Sequence, residues 1–240
     1  MKSIKLSGFM LAAALLTFAC GKSSDTVETT EAQEAAAATG QTLSLDADAS
    51  NVNWRGYKPT GQHFGLIPVT EGQLSVEGDA ITGGEFTFNI TGLEIHDLEE
   101  GSEDHGKLWN HLQSDDFFDA GNHPQASFVI TEITPYTSGD EIEDKEQFES
   151  ENTPQSASEI APEAPTHWIS GNLTMRGNTK NIKFPASVSL DNGTISAQAG
   201  FNINRTDWGL SYGDEASAVD KAKDQFIYNT VSVNFDVKAN

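Results

Sequence analysis

The stretch His96-Asp97-Leu98-Glu99-Glu100-Gly101-Ser102-Glu103-Asp104-His105, with His111 close behind it, is the chain's densest group of potential metal ligands and proton carriers. Imidazoles among carboxylates suit a divalent cation. Their spacing fits no standard zinc site or calcium loop, however, and acidic runs of this kind are usually solvated. His111 reads as a hydrogen-bonding partner and not as a ligand. Catalysis finds less support still. There is no Gly-x-Ser-x-Gly elbow, no His-Glu-x-x-His helix and no phosphate-cradling glycine loop. Cys20 is the one cysteine, and its place near the N-terminus removes it as a nucleophile. No catalytic residue, metal site or cofactor is assigned. An acidic metal-binding or scaffolding module with a packed, ligand-free core stays as the rival reading.

Two further groups could meet a polar headgroup. Arg205 followed by Trp208, near a strand end, can close one mouth of a barrel with its cation over the indole face. Tyr57 and His63, flanked by Gly56, Gly61 and Gly65, fall on a predicted loop at the barrel entrance.

The elements that must position these groups are strands. Val52 and Trp54 alternate with Asn53 and Arg55, and Phe86, Phe88 and Ile90 alternate with Glu85, Thr87 and Asn89. The same period of two runs through Ile195 to Ile203 and Val231 to Val237, so each strand has one apolar face. Gly78-Asp79, Gly177-Asn178 and Asp191-Asn192-Gly193 mark turns between strands. Many strands with one apolar face and little helix to cover it bury those faces best by closing into a barrel, which also removes exposed edges. The predicted fold is therefore all-β, an antiparallel barrel. Eight strands leave just enough interior to be filled by side chains or to hold one ligand, and the pattern does not choose between these. Trp54, Phe86, Phe88, Ile90, Phe128, Phe184, Phe201, Ile203, Trp208 and Phe235 are the candidate lining.

Three segments interrupt the strands. Leu108 and Leu112, one turn apart with Trp109 beside them, predict a short amphipathic helix. Ser138 to Thr166, rich in Glu, Asp, Ser and Pro, predicts a disordered acidic insertion dispensable for the fold. Asp214 to Asp224 predicts a short helix across one barrel end.

Three motifs in order carry a specific resemblance. The first is Gly106-Lys107-Leu108-Trp109-Asn110-His111-Leu112 through Phe117-Phe118-Asp119 to His123-Pro124-Gln125-Ala126-Ser127-Phe128. The second is Ile169 to Lys180, a hairpin carrying Arg176-Gly177-Asn178-Thr179-Lys180, and the third is Gly200 to Gly209 with Arg205 and Trp208. Together they resemble the signatures of the YceI-like family, small lipocalin-like β-barrels of the bacterial envelope that bind polyisoprenoid lipids. That resemblance implies an eight-stranded barrel over residues 42–240. It also implies a non-catalytic function, binding or carrying an isoprenoid or other long-chain lipid inside the barrel.

The N-terminus points to export. Lys2 and Lys5 precede an apolar run from Phe9 to Phe18, which is too short to span a bilayer of roughly 30 Å. Residues 1–19 therefore read as a secretory signal. Cys20 directly after it resembles the acylated residue of a bacterial lipoprotein. Residues 20–41, almost without apolar groups, predict a disordered tether to the membrane. A formal charge of −22 argues against nucleic acid as a partner. Cys20→Ser is expected to release the protein into the soluble envelope fraction, followed by fractionation and immunoblotting. A variant as membrane-bound as the parent overturns anchoring at Cys20.

Overall fold

The computed structural model describes residues 25–137, 144, 145, 147–220 and 225–240. Residues 1–19 and Cys20 lie outside them. In chain order the strands are β1 (Thr29–Thr30), β2 (Gln41–Ser44), β3 (Asn51–Lys58), β4 (Gly61–Glu77), β5 (Ala80–Asn89), β6 (Glu94–Ile95), β7 (Gln125–Pro135), β8 (His167–Met175), β9 (Asn178–Asp191), β10 (Thr194–Asn204) and β11 (Thr230–Ala239). The helices are α1 (Glu103–Gln113) and the one-turn α2 (Ala157–Ile160). The eight long strands form a closed antiparallel barrel in the order β3-β4-β5-β7-β8-β9-β10-β11, and β11 returns to β3 with Val233 opposite Trp54 and Phe235 opposite Val52. Wall neighbours follow one another along the chain everywhere except at that seam.

Large rings fill the middle of the barrel. Phe184 and Phe201 stack with centroids 4.2 Å apart and planes 10° from parallel, and Phe128 and Phe235 each approach Phe184 at 5.6 Å. Room for Phe128 comes from the strand beside it. A Cβ at Gly171 would stand 2.1 Å from Phe128 Cζ, so the ring lies directly on glycine backbone.

Helix α1 covers one end of the barrel. The Ser102 side chain accepts from the His105 N–H at 3.2 Å and so caps its N-terminus. Leu112 turns inward, and the Trp109 indole donates to the Leu93 carbonyl at 3.1 Å. Phe117 and Phe118 follow the helix as an aromatic plug. At the opposite end β2 pairs with β4, burying Leu43 against Leu74, and Leu45 bridges to Ala239.

The described parts of both segments predicted to be disordered pack against this barrel. Residues 25–30 lie along the wall where β9 and β10 separate, and the chain then crosses β8, β7 and β5, with Ala36 N–H donating to the Ile130 carbonyl at 2.9 Å. Strands β9 and β10 pair only from Ala186 to Asp191 and from Thr194 to Ala199. Beyond that point Val27 N–H donates to the Asn202 carbonyl at 2.8 Å and β1 pairs with Asn181 and Ile182 of β9. Asp25 is buried, accepting from the Ala157 N–H at 2.7 Å. Burial pushes its carboxyl pKa up, while the backbone N–H groups of Ala157 and Lys145 pull it back.

The described part of the acidic insertion runs over the outer face of β10, β11 and β3. Gln155 accepts from the Asn202 side chain at 2.8 Å, and Asn152 donates to the Pro59 carbonyl at 3.2 Å. Beneath it Tyr57, Phe226 and Tyr228 form a second core, with Phe148 of the insertion packed on Phe226 at 5.8 Å. Backbone contacts of this kind do not depend on apolar composition, which is why the sequence pattern misses them. Residues 214–220 form turns and no helix, and 221–224 lie outside the described residues. Replacing residues 138–166 with a short Gly-Ser linker is now expected to destabilise the protein by about 3 kcal/mol or more, since burial of one large side chain is worth about 1.5–3 kcal/mol. Denaturant unfolding measures this, and an unchanged midpoint would show that the cover contributes nothing.

Candidate functional site

The barrel encloses a cavity of about 150 Å³ whose lining is entirely apolar. All eight long strands contribute to it. Of the ten residues predicted to line it, Trp54, Phe86, Phe88, Ile90, Phe128, Phe184, Phe201, Ile203 and Phe235 do so. Trp208 does not. It is fully buried at the α1 end, where its indole N–H donates to the Leu173 carbonyl at 2.9 Å. Sequence reasoning passed over the aliphatic wall, including Ile67, Ile81, Ile130, Ile169 and Val233, and the plug residue Phe118. Val233 was legible from its place in an alternating run. Ile81 and Ile130 sit beside register shifts in β4–β5 and β7–β8, where strict alternation breaks. Val52, Trp54, Ile67, Phe88, Phe118 and Phe235 are only partly buried.

The three predicted headgroup residues separate. Arg205 is withdrawn from any ligand, being 3% exposed. Its Nε donates to the Tyr228 carbonyl at 3.0 Å, its Nη2 to the Ile227 carbonyl at 3.1 Å, and its Nη1 to the Leu210 carbonyl. The cation lies 6.0 Å from the Phe117 ring, and not over Trp208. Burial pulls its pKa down to about 10, against the pull of Asp214 and Glu215 upward. It remains charged at neutral pH. Tyr57 also has another role, since alternation points it out of the barrel. Its hydroxyl shares a hydrogen bond with Ser232 at 2.8 Å, and Ser232 donates to Asn202 Oδ1 at 2.7 Å, beneath the insertion. His63 alone stands near the rim with a partly exposed side chain, its Nδ1 2.7 Å from Asp97 Oδ2.

Arg176 is the residue that sequence reasoning quoted without a role. It occupies the β8–β9 turn with φ of 47°, followed by Gly177 at 73°. Its Nη2 donates to the Asp115 carbonyl at 2.7 Å and its Nη1 to the Gly209 carbonyl. Asn178 donates to the Trp208 carbonyl at 3.0 Å. The three sequence motifs thus meet as one cap over the α1 end.

Two histidines in and beside the acidic stretch form pairs with single carboxylates. His96 Nε2 lies 2.8 Å from Glu94 Oε2, and His111 Nε2 lies 3.0 Å from Asp116 Oδ2. His111 also packs edge-on against Phe117 and Tyr212, with centroids at 4.9 and 4.6 Å. Among the described residues no three His, Cys, Asp or Glu side chains come together as a metal site would need.

Residues 43–239, the barrel with its cap and insertion, match the YceI-like domain. The chain belongs to the YceI-like family. The same barrel is found in two solved structures of low identity. One is Burkholderia cenocepacia BcnA, 16% identical, with a TM-score of 0.55 over 82% of this chain and 99% of that one. The other is a polyisoprenoid binding domain from Saccharophagus degradans implicated in plant cell wall breakdown, 17% identical, with a TM-score of 0.52 over 82% and 97%. No curated protein sequence matches the chain. In this YceI-like barrel Arg205→Met is expected to cost about 3 kcal/mol or more of stability, because each buried acceptor left unpaired costs about 1–3 kcal/mol. Denaturant unfolding that left stability unchanged would free Arg205 for a role at the ligand.

Proposed function

We propose that this YceI-like protein binds an isoprenoid-type lipid chain in its barrel, catalyses nothing, and works at the bacterial cell envelope, anchored through Cys20. The cavity carries the reading: its wall offers only carbon surface. Such a wall rewards any apolar chain with roughly 25 cal/mol per Å² buried and asks for no polar contact. It holds no group to serve as acid, base or nucleophile, so a bound chain meets nothing that could react with it. The polyisoprenoid binding domain that shares the fold supports the choice of ligand class. The apolar run that ends just before Cys20 supports export and anchoring.

Size sets a condition on binding. A dry cavity of about 150 Å³ holds a benzene-sized molecule, which is little more than one isoprene unit. A longer chain must therefore displace side chains. Those free to move are the partly buried ones, Phe88 and Phe118 among them, while the Phe184–Phe201 stack is fixed by close packing.

Extraction of the purified protein with organic solvent, followed by mass spectrometry, is expected to yield an isoprenoid. Two variants then separate wall from core. Phe201→Ala is expected to cost about 3–5 kcal/mol, as a packed core ring does. Phe88→Ala is expected to cost clearly less in lipid-stripped protein and to weaken isoprenoid binding. Equal core-type losses at both positions, with no lipid recovered from the parent, would leave a structural barrel only.

A further inference from the structure

We propose that the slot between β9 and β10 is the port through which a lipid chain enters the cavity, and that residues 25–30 are the stave that shuts it; this rests on the lipid-binding reading above. Along its first half β9 gives one edge to β8, with Gly171 opposite Ile182 and Asn172 opposite Asn181. Its other edge meets β10 only from Ala186 onward. Before that point β1 takes the place of β10, with Thr29 opposite Ile182 and Thr30 opposite Asn181. On its far side the arm reaches β10, where the Val27 N–H donates to the Asn202 carbonyl at 2.8 Å. The arm therefore sits in the wall and not on it.

The slot has a frame. At one end the Phe184 and Phe201 rings stack at 4.2 Å, and at the other the Asn178 side chain donates to the Trp208 carbonyl at 3.0 Å. From Asn178 to Phe184 the β9 edge runs about 20 Å, at about 3.3 Å per residue. The side chains that flank it on the inside, Ile182 and Phe184 of β9 and Phe201 and Ile203 of β10, all line the cavity. Continuing the β9–β10 register would set Ile182 opposite Ile203, and the arm takes that place instead. Lifting one strand from between two others leaves a gap of about 10 Å, twice the usual strand spacing. An apolar chain can pass through such a gap sideways.

This piece of the wall is lightly fastened. Strands β8 and β9 share nine register pairs, whereas β1 and β9 share two. Val27 is the one apolar side chain that residues 25–30 pack on the core, and it is half-buried, while Glu28 and Thr30 face water. The ties beyond it are polar contacts of a kind that water replaces at little cost. The Thr29 hydroxyl donates to Asp207 at 3.0 Å, Lys180 Nζ lies 3.0 Å from Glu31, and Gln33 exchanges two hydrogen bonds with the Asn172 side chain. Asp25 is the firm tie, its buried carboxylate accepting from the Ala157 N–H at 2.7 Å. It makes a fixed end from which the rest of the arm can bow outward, unpacking little carbon surface as it goes.

The test uses the Cys20→Ser chain, which has no thiol. Adding Thr30→Cys and Asn181→Cys puts cysteines at directly opposed positions of β1 and β9, within reach of a disulfide. Ser187→Cys with Gln198→Cys does the same where β9 and β10 are already paired, as a control lock. Each protein is loaded with tritiated farnesol, and its affinity and its release rate into excess unlabelled farnesol are measured oxidised and reduced. Oxidising the first pair is expected to slow release about tenfold or more, as shutting a gate does, and to leave affinity unchanged, with reduction restoring the rate. Oxidising the control pair is expected to change neither. Val27→Asp, which sets a charge where the arm packs on the core, is expected to speed release, with thermal unfolding confirming that every variant folds. Release unchanged by both the first lock and Val27→Asp, or slowed equally by the two locks, overturns the port while leaving the barrel a lipid binder. Failure of the parent to bind farnesol overturns both readings together.

Discussion

The pairing of β3 with β11 is the contact on which the rest depends. Every other neighbour in the wall is reached by the chain moving on to its next long strand, but this seam joins the first long strand to the last. Until it forms, two strand edges and an apolar face stay open to water. Once it forms, Trp54, Val233 and Phe235 complete the cavity wall. The seam is also covered from outside. The Tyr57–Ser232–Asn202 chain of hydrogen bonds crosses it, and residues 147–155 lie over that chain. A barrel wall normally has one wet face; here the closing strands are covered at Tyr57, Thr230 and Ser232 and reach water only farther along, at Asn234 and Lys238.

The cap and the cavity divide the work between different kinds of residue. The motifs that carry the family resemblance supply cations and indoles bound to backbone carbonyls, as with Arg176, Arg205 and Trp208. These bonds fasten three loops to one another at one end. The wall, by contrast, is built of interchangeable carbon surface from every long strand. Polar precision therefore shapes the container, and apolar surface makes the contents welcome.

The barrel was legible because period-two alternation is local, and so was the inward set of aromatics. Helix α1 was legible from Leu108, Leu112 and Trp109, and Phe118 could have been added from its place in the aromatic pair. What escaped was decided by partners distant in sequence. Arg205 looked free for a ligand because the carbonyls of Ile227 and Tyr228 that bind it lie about twenty residues downstream. Tyr57 looked like an entrance residue because its cover comes from residues 148–150. The acidic insertion and the arm from Asp25 seemed idle because their composition has little to bury, whereas they hold on through backbone groups and a buried carboxylate. His63 was found near the rim, and its partner Asp97 lay within the acidic stretch first considered for metal.

Asp25 sets the length of a leash. Only four residues separate it from Cys20, and five fully extended residue steps span at most about 18 Å. An acyl group at Cys20, as proposed, would hold Asp25, with α2 beside it, within that distance of the bilayer. The barrel, held through that arm, could not swing out on a long tether to sample the space beyond. Lipid exchange would then be a local event between one patch of membrane and one side of the barrel, and reaching a distant partner membrane would require the arm to peel away from the wall.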